Sequence, residues 1–239
     1  MYKRVLLKLS GEALKDESAL QVLNVDVVKQ MALTIKSLHD QGIQIGIVIG
    51  GGNIWRGKLA EGIGIERVPA DFMGMLATVI NAAAMSSALK NIGVDSIVFS
   101  ALPEVDPISV TYSKEAAIKA MNEGKVVFFA GGTGKPYFTT DTAATLRALE
   151  TNCDAILMGK NGVDGLYDKD PIQNPDAKFI PEITYDEILK NKLQIMDLTA
   201  VELIKDKDIE IRIFSMSDSH NFIRVAMGEN IGTVCKKGE

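Results

Sequence analysis

Apolar residues fill positions 5–7 and 9, broken only by Lys8, so residues 4–9 read as a short strand ending at Ser10 and Gly11. The period then changes. Val25, Val28, Met31, Ala32, Ile35 and Leu38 recur at helical spacing, and Gly42 closes that helix before a β-branched strand at 43–49. Residues 70–91 form a long Ala- and Met-rich helical stretch with few charges in its middle, the pattern of a helix buried on most sides. Strands at 95–100, 125–130, 154–158, 209–214 and 231–235 alternate with helices at 114–122, 142–151, 185–190, 199–205 and 222–227. Residues 159–181 are loop-rich, holding Gly162, Gly165, Pro171, Pro175 and Pro181.

This alternation predicts an α/β fold, a doubly wound and mostly parallel sheet sandwiched by helices. No repeat or low-complexity linker interrupts the 239 residues, so one domain over 1–239 is expected. Such sheets collect ligands at the carboxyl ends of their strands. The glycine clusters fall there: Gly11 after the first strand, Gly50 to Gly52 after the second, Gly131 to Gly134 after the fourth.

Composition removes several function classes. The net charge is −5 with no long basic block, which argues against a nucleic-acid surface. Cys153 and Cys235 lack the spacing of a zinc cluster or disulfide framework, and a reducing, cytoplasmic setting is the default. The N-terminus has no signal-peptide pattern, and no stretch of membrane-spanning length is expected to be free of charge. His39 and His220 read as surface or capping residues, so a catalytic triad or a zinc-protease motif finds no support. A site here must work with Lys, Arg, Asp and backbone groups.

Two stretches imitate a phosphate loop and fail. The run from Gly52 to Lys58 fits GxxxxGK, but Leu59 stands where Ser or Thr should hold magnesium; the run 131–135 continues into Pro136 and has Phe129 at the opening position. Successive glycines after a strand still let backbone N–H groups form an anion nest, or simply a tight turn. Arg56 and Lys8 tip the balance toward phosphate. Lys8 is either at a solvent edge of the sheet or a functional cation. Asp141, after Thr139 and Thr140, caps a helix or orients a lysine, and Asp71 has the same two readings, with a ribose diol as its ligand. The cluster Lys160, Asn161 and 163–171 is a polar turn or a surface for a nucleobase and ribose.

Taken together, these stretches resemble the bacterial uridylate kinases of the amino acid kinase superfamily. The resemblance rests on Lys8-Leu9-Ser10-Gly11-Glu12-Ala13-Leu14, Ile49-Gly50-Gly51-Gly52-Asn53 with Arg56-Gly57, and Asp71-Phe72-Met73-Gly74-Met75-Leu76-Ala77. It continues through Gly132-Thr133-Gly134, Phe138-Thr139-Thr140-Asp141, Val163-Asp164-Gly165, Met196-Asp197-Leu198 and Val225-Ala226-Met227-Gly228-Glu229. It implies transfer of the γ-phosphoryl of ATP to UMP in pyrimidine nucleotide synthesis, with Mg²⁺, in a homohexamer. An acceptor lobe would span about 1–155 and an ATP lobe about 156–239, and no metal-ligating residues of the chain's own are implied. By position, Lys8, Leu9, Ser10, Gly11, Gly52, Arg56, Asn161, Tyr167 and Asp170 would meet ATP. Gly51, Asp71, Thr133, Gly134, Lys135, Pro136, Tyr137, Phe138, Thr139 and Thr140 would meet UMP. Lys8, Arg56, Asp141 and Asp197 would be catalytic, with Asp141 holding Lys8. One departure stands out: residues 18–26 lack the glycines that many family members carry where GTP activation is associated, and UTP inhibition is expected only from the resemblance. The rivals are a kinase of a small carboxylate and a nucleotide sensor without turnover.

Overall fold

A computed structural model describes residues 1–15, 21–160, 162–193 and 195–238. Asn161 and residues 18–20 of the departing segment lie outside the described residues. In chain order the elements are β1 (Arg4–Leu9), a 3₁₀ turn (Gly11–Leu14), α1 (Val25–His39), β2 (Gln44–Ile49), α2 (Gly57–Gly62) and α3 (Arg67–Asn91). There follow β3 (Ser96–Ser100), β4 (Val110–Thr111), α4 (Lys114–Asn122), β5 (Val126–Ala130), α5 (Thr140–Glu150), β6 (Ala155–Lys160), β7 (Leu166–Tyr167) and β8 (Phe179–Ile180). The chain ends with β9 (Glu182–Thr184), α6 (Tyr185–Asn191), α7 (Leu198–Ile204), β10 (Glu210–Ser215), α8 (His220–Ala226) and β11 (Thr233–Lys236).

Nine strands form one sheet in the order β4-β3-β5-β2-β1-β6-β10-β11-β9, and β7 pairs with β8 apart from it. Every pairing in the large sheet is parallel except β10 with β11. The side-chain period of two splits each strand between two cores. Val5, Leu7 and Leu9 of β1 pack with Met31, Ile35 and Leu38 of α1, Met85 and Leu89 of α3, and Phe222 of α8. Leu6 faces the opposite layer, with Met121 of α4, Ala144 and Ala148 of α5, Ile188 of α6 and Val201 of α7. Both faces are covered, which is why the strands read as nearly continuous apolar runs.

Two expectations need correcting. Lys8 is not at an edge: β1 pairs with β2 on one side, through Lys8↔Val48, and with β6 on the other, through Lys8↔Met158. The stretch 72–89 carries no charged residue, and α3 is long and apolar enough to cross a membrane. Half of that window is nonetheless buried inside the domain, with Met75, Ala77, Asn81, Met85 and Leu89 in its packing. The pieces that sequence periodicity passed over are α2, β4, β7, β8 and β9, each six residues or shorter. So few positions cannot display a period.

Candidate active site

The carboxyl ends of β5, β2, β1 and β6, four neighbours at the middle of the sheet, bring the expected residues together. Lys8 Nζ lies 2.6 Å from Asp141 Oδ1, and both side chains are less than one-fifth exposed. Asp141 is free for this pairing because Thr139 caps α5, its side chain accepting from the N–H groups of Asp141 and Thr142. The capping alternative for Asp141 therefore falls.

The strand ends hold the glycine loops at close range. Gly50 N–H donates to the Leu9 carbonyl at 2.9 Å, and a Cβ on Gly11 would overlap the Gly50 carbonyl oxygen. A Cβ on Gly51 would meet Ala77 Cβ and the Gly74 carbonyl at 2.8 Å, so the loop approaches α3 this closely only because position 51 lacks a side chain. Leu9 is buried in the core, which leaves its backbone as the part that a ligand could reach, whereas Ser10 is exposed. Arg56 pairs with Glu12 at 2.6 Å across the mouth of the loop, both side chains about half exposed. Its Nε also reaches the Gly52 carbonyl at 3.4 Å.

A pocket of about 300 Å³ opens beside these loops. It is lined by Gly51, Gly52, Trp55, Asp71, Met75, Thr78, Thr133, Lys135, Phe138, Thr139 and Thr140, among others. Asp71 is no helix cap, since α3 begins at Arg67. One of its oxygens accepts the Tyr137 N–H at 2.7 Å, and Arg67 Nε approaches the carboxylate at 2.8 Å. Tyr137 takes a φ of 72° and lies under Arg67, whose guanidinium carbon is 5.6 Å from the ring centroid. Gly134, Pro136 and Tyr137 shape the loop without lining the pocket. Next to Thr139 of the pocket wall, Asp197 caps α7 through Ala200 N–H at 2.8 Å and accepts from Thr142 Oγ1 at 2.9 Å and from Thr139 Oγ1. Asp197 thus ties the threonine loop to the second half of the chain.

On the β6 side, Tyr167 donates to Asp164 at 2.7 Å and meets Phe179 edge-on at 5.5 Å. Tyr167 borders two adjoining cavities of about 450 and 440 Å³, the second of which Asp170 also lines. Asp170 accepts from the Ile172 N–H at 2.9 Å, which fixes the turn.

Asn53, Asn81 and Arg147 were given no role by the sequence reading, and Lys160 only a place in a polar cluster. Asn53 and Asn81 exchange two hydrogen bonds in the core, at 3.0 and 2.7 Å, and Asn81 also donates to the Gly50 carbonyl at 2.8 Å. Buried Arg147 lies 3.7 Å over the Tyr112 ring, pairs with Glu150 at 2.6 Å and reaches the Gly132 carbonyl at 3.4 Å. Lys160 ends β6. Asn81, a polar residue inside the uncharged stretch of α3, was the available signal.

The amino acid kinase family model matches residues 3–215. A uridylate kinase of Mycoplasma capricolum is 53% identical over 226 residues, covering 94% of each chain, and one of Mesoplasma florum is 47% identical over 99% of this chain and 98% of its own. Among solved structures, a UMP kinase of Bacillus anthracis superposes with a TM-score of 0.96 at 37% identity, covering 100% of this chain and 97% of its own. A UMP kinase of Ureaplasma parvum gives 0.92 at 37% identity, covering 99% and 100%. With a full-length match of this kind laid over a lysine–aspartate pair, a glycine loop and an aspartate-bearing pocket, the chain belongs to the amino acid kinase family and, within it, to the uridylate kinases.

Proposed function

We propose that this chain transfers the γ-phosphoryl of ATP to UMP, giving ADP and UDP for pyrimidine nucleotide synthesis in the cytoplasm. The observation that carries the reading is the Lys8–Asp141 pair near the carboxyl end of β1, next in sequence to Thr140 of the pocket that also holds Asp71. In this reading residues about 1–155 hold the acceptor and 156–239 the donor. UMP lies along Gly51, Asp71 and 133–140, with the Asp71 carboxylate accepting from the ribose diol. ATP lies over 8–11, Gly52 and Arg56, with its base and ribose against 161, Tyr167 and Asp170. Asp71 in the acceptor pocket disfavours a carboxylate acceptor, which it would repel.

Phosphoryl transfer needs alignment and positive charge more than a strong base, because the attacking phosphate oxygen is already ionised near neutral pH. Lys8 would lie against the phosphoryl in flight, Asp141 would hold its ammonium in place, and Arg56 would neutralise charge on the donor phosphates. Asp197 would keep Thr139 turned toward the acceptor. Among the described residues no three His, Cys, Asp or Glu side chains gather as a metal cage. In this reading Mg²⁺ enters with ATP, where Asp141 and Asp197 are the carboxylates that would face it, and the ion would supply charge neutralisation on the phosphate oxygens. Phe72, Met73, Leu76 and Ile80 leave an exposed apolar stripe on α3, which supports a subunit interface on this helix in the homohexamer that the family resemblance implies. The test is ADP release from Mg-ATP with UMP, CMP, AMP, glutamate and aspartate offered separately. Response to UMP with UDP formed is expected. UMP binding without turnover would replace the kinase by a sensor.

A further inference from the structure

β6 ends in a lysine that the reading above leaves without a task. Lys8 lies opposite Met158 in the parallel pairing of β1 with β6. Residues two apart on a strand share a face, so Lys160 projects to the side of the sheet that carries Lys8, Leu6 and Met158, under α5 and α7. The two lysines are thus stepped by one pleat repeat, roughly 7 Å along the strands. Lys160 Nζ donates to the Ile195 carbonyl at 3.3 Å, long for a hydrogen bond, and no other hydrogen bond to it is made among the described residues.

The environment is costly for a cation. Burial lowers the affinity of Lys160 for its proton, the Lys8 charge lowers it further, and only Asp141 acts in the opposite direction. Three other cations of the site have carboxylates in hand: Lys8 has Asp141, Arg56 has Glu12 and Arg67 has Asp71. Among the described residues Lys160 has none. A largely buried ammonium held by one carbonyl is a poor structural strut, because its desolvation is uncompensated. It is a good receptor for an anion that arrives with several charges.

We propose that Lys160 is a further catalytic residue, whose ammonium meets the phosphate chain of the donor nucleotide beside Lys8, so that two lysines flank the transferred phosphoryl. This rests on the reading of ATP as donor. In the step itself the bond from the γ-phosphorus to the ADP oxygen breaks while the bond to the UMP phosphate oxygen forms. Lys160 keeps its proton throughout and offsets charge on the phosphoryl oxygens.

The test uses the full chain with Lys160→Met and Lys160→Gln, the second keeping a donor for the Ile195 carbonyl without the charge. Measured are kcat, binding of a non-hydrolysable ATP analogue, binding of UMP, and Tm. Both variants should lose roughly 100-fold in kcat, by analogy with a lost oxyanion donor. Analogue binding should weaken about tenfold while UMP affinity stays within twofold, and Lys160→Met should melt at or above the wild-type temperature. A strut on Ile195 predicts the reverse: an active Lys160→Gln and a Lys160→Met that melts lower or fails to fold. Either of those results, or a kcat within threefold of wild type, overturns the proposal. A wild-type chain that makes no UDP from ATP and UMP sinks the kinase reading itself. Wild-type turnover with an unaffected Lys160→Met sinks only this role.

Discussion

Replacing Asp141 by Asn separates two roles that the Thr-Thr-Asp run could have merged. Thr139, not Asp141, caps α5, so Asp141→Asn leaves the cap intact and removes only the charge opposite Lys8. The pair is 2.6 Å apart with 17% and 19% of the side chains exposed, between a surface bridge and a buried one. Surface pairs are worth up to about 1 kcal/mol and breaking buried ones costs about 3–5, so a loss of about 2 kcal/mol is expected here. For a domain of this size that lowers Tm by roughly 4–8 °C. The catalytic cost is larger, because Lys8 loses its fixed position. By analogy with a misplaced oxyanion donor, kcat should fall about 10²- to 10³-fold, about 3–4 kcal/mol of barrier. ADP release at saturating ATP and UMP, with a melting curve on the same preparation, reads both numbers. A folded Asp141→Asn chain with kcat within fivefold of wild type would refute the argument, since Lys8 would then need no partner to stay in place.

Other substitutions probe the surrounding contacts. Asp71→Asn keeps an oxygen for the Tyr137 N–H but loses the charge, so KM for UMP should rise about 10- to 100-fold, matching a charge-assisted hydrogen bond of about 1.5–3 kcal/mol, while kcat changes less. An unchanged KM in steady-state assays would remove Asp71 from the ribose. Thr139→Ala removes the α5 cap and a bond to Asp197, at a cost of about 1–2 kcal/mol visible as a lower Tm. Thr139→Ser should restore most of it, and failure to do so would point away from the hydroxyl. Burial holds the thiols of Cys153 and Cys235 up at about 11 and about 12, so almost no thiolate exists at pH 8. A disulfide reagent should therefore leave the native chain untouched and titrate both residues in denaturant; fast native labelling of either would contradict the packing.

The sequence by itself determined the alternation of strands and helices, the parallel sheet and the glycine loops at its carboxyl edge, because hydrophobic period and glycine placement are local properties. It also placed Lys8, Asp71 and Asp141 among the candidates, although each had an ordinary structural reading. Only the tertiary structure removed the edge and capping readings. Lys8 proved central because β6, far along the chain, lies on its other side. Asp141 was freed because Thr139 took the cap, and Asp197 found Thr139 and Thr142 across the packing of α5 on α7. The Asn53–Asn81 pair and Arg147 under Gly132 were illegible for the same reason. Whether a polar residue is satisfied depends on partners distant in sequence, and no local pattern records what folding will bring within 3 Å.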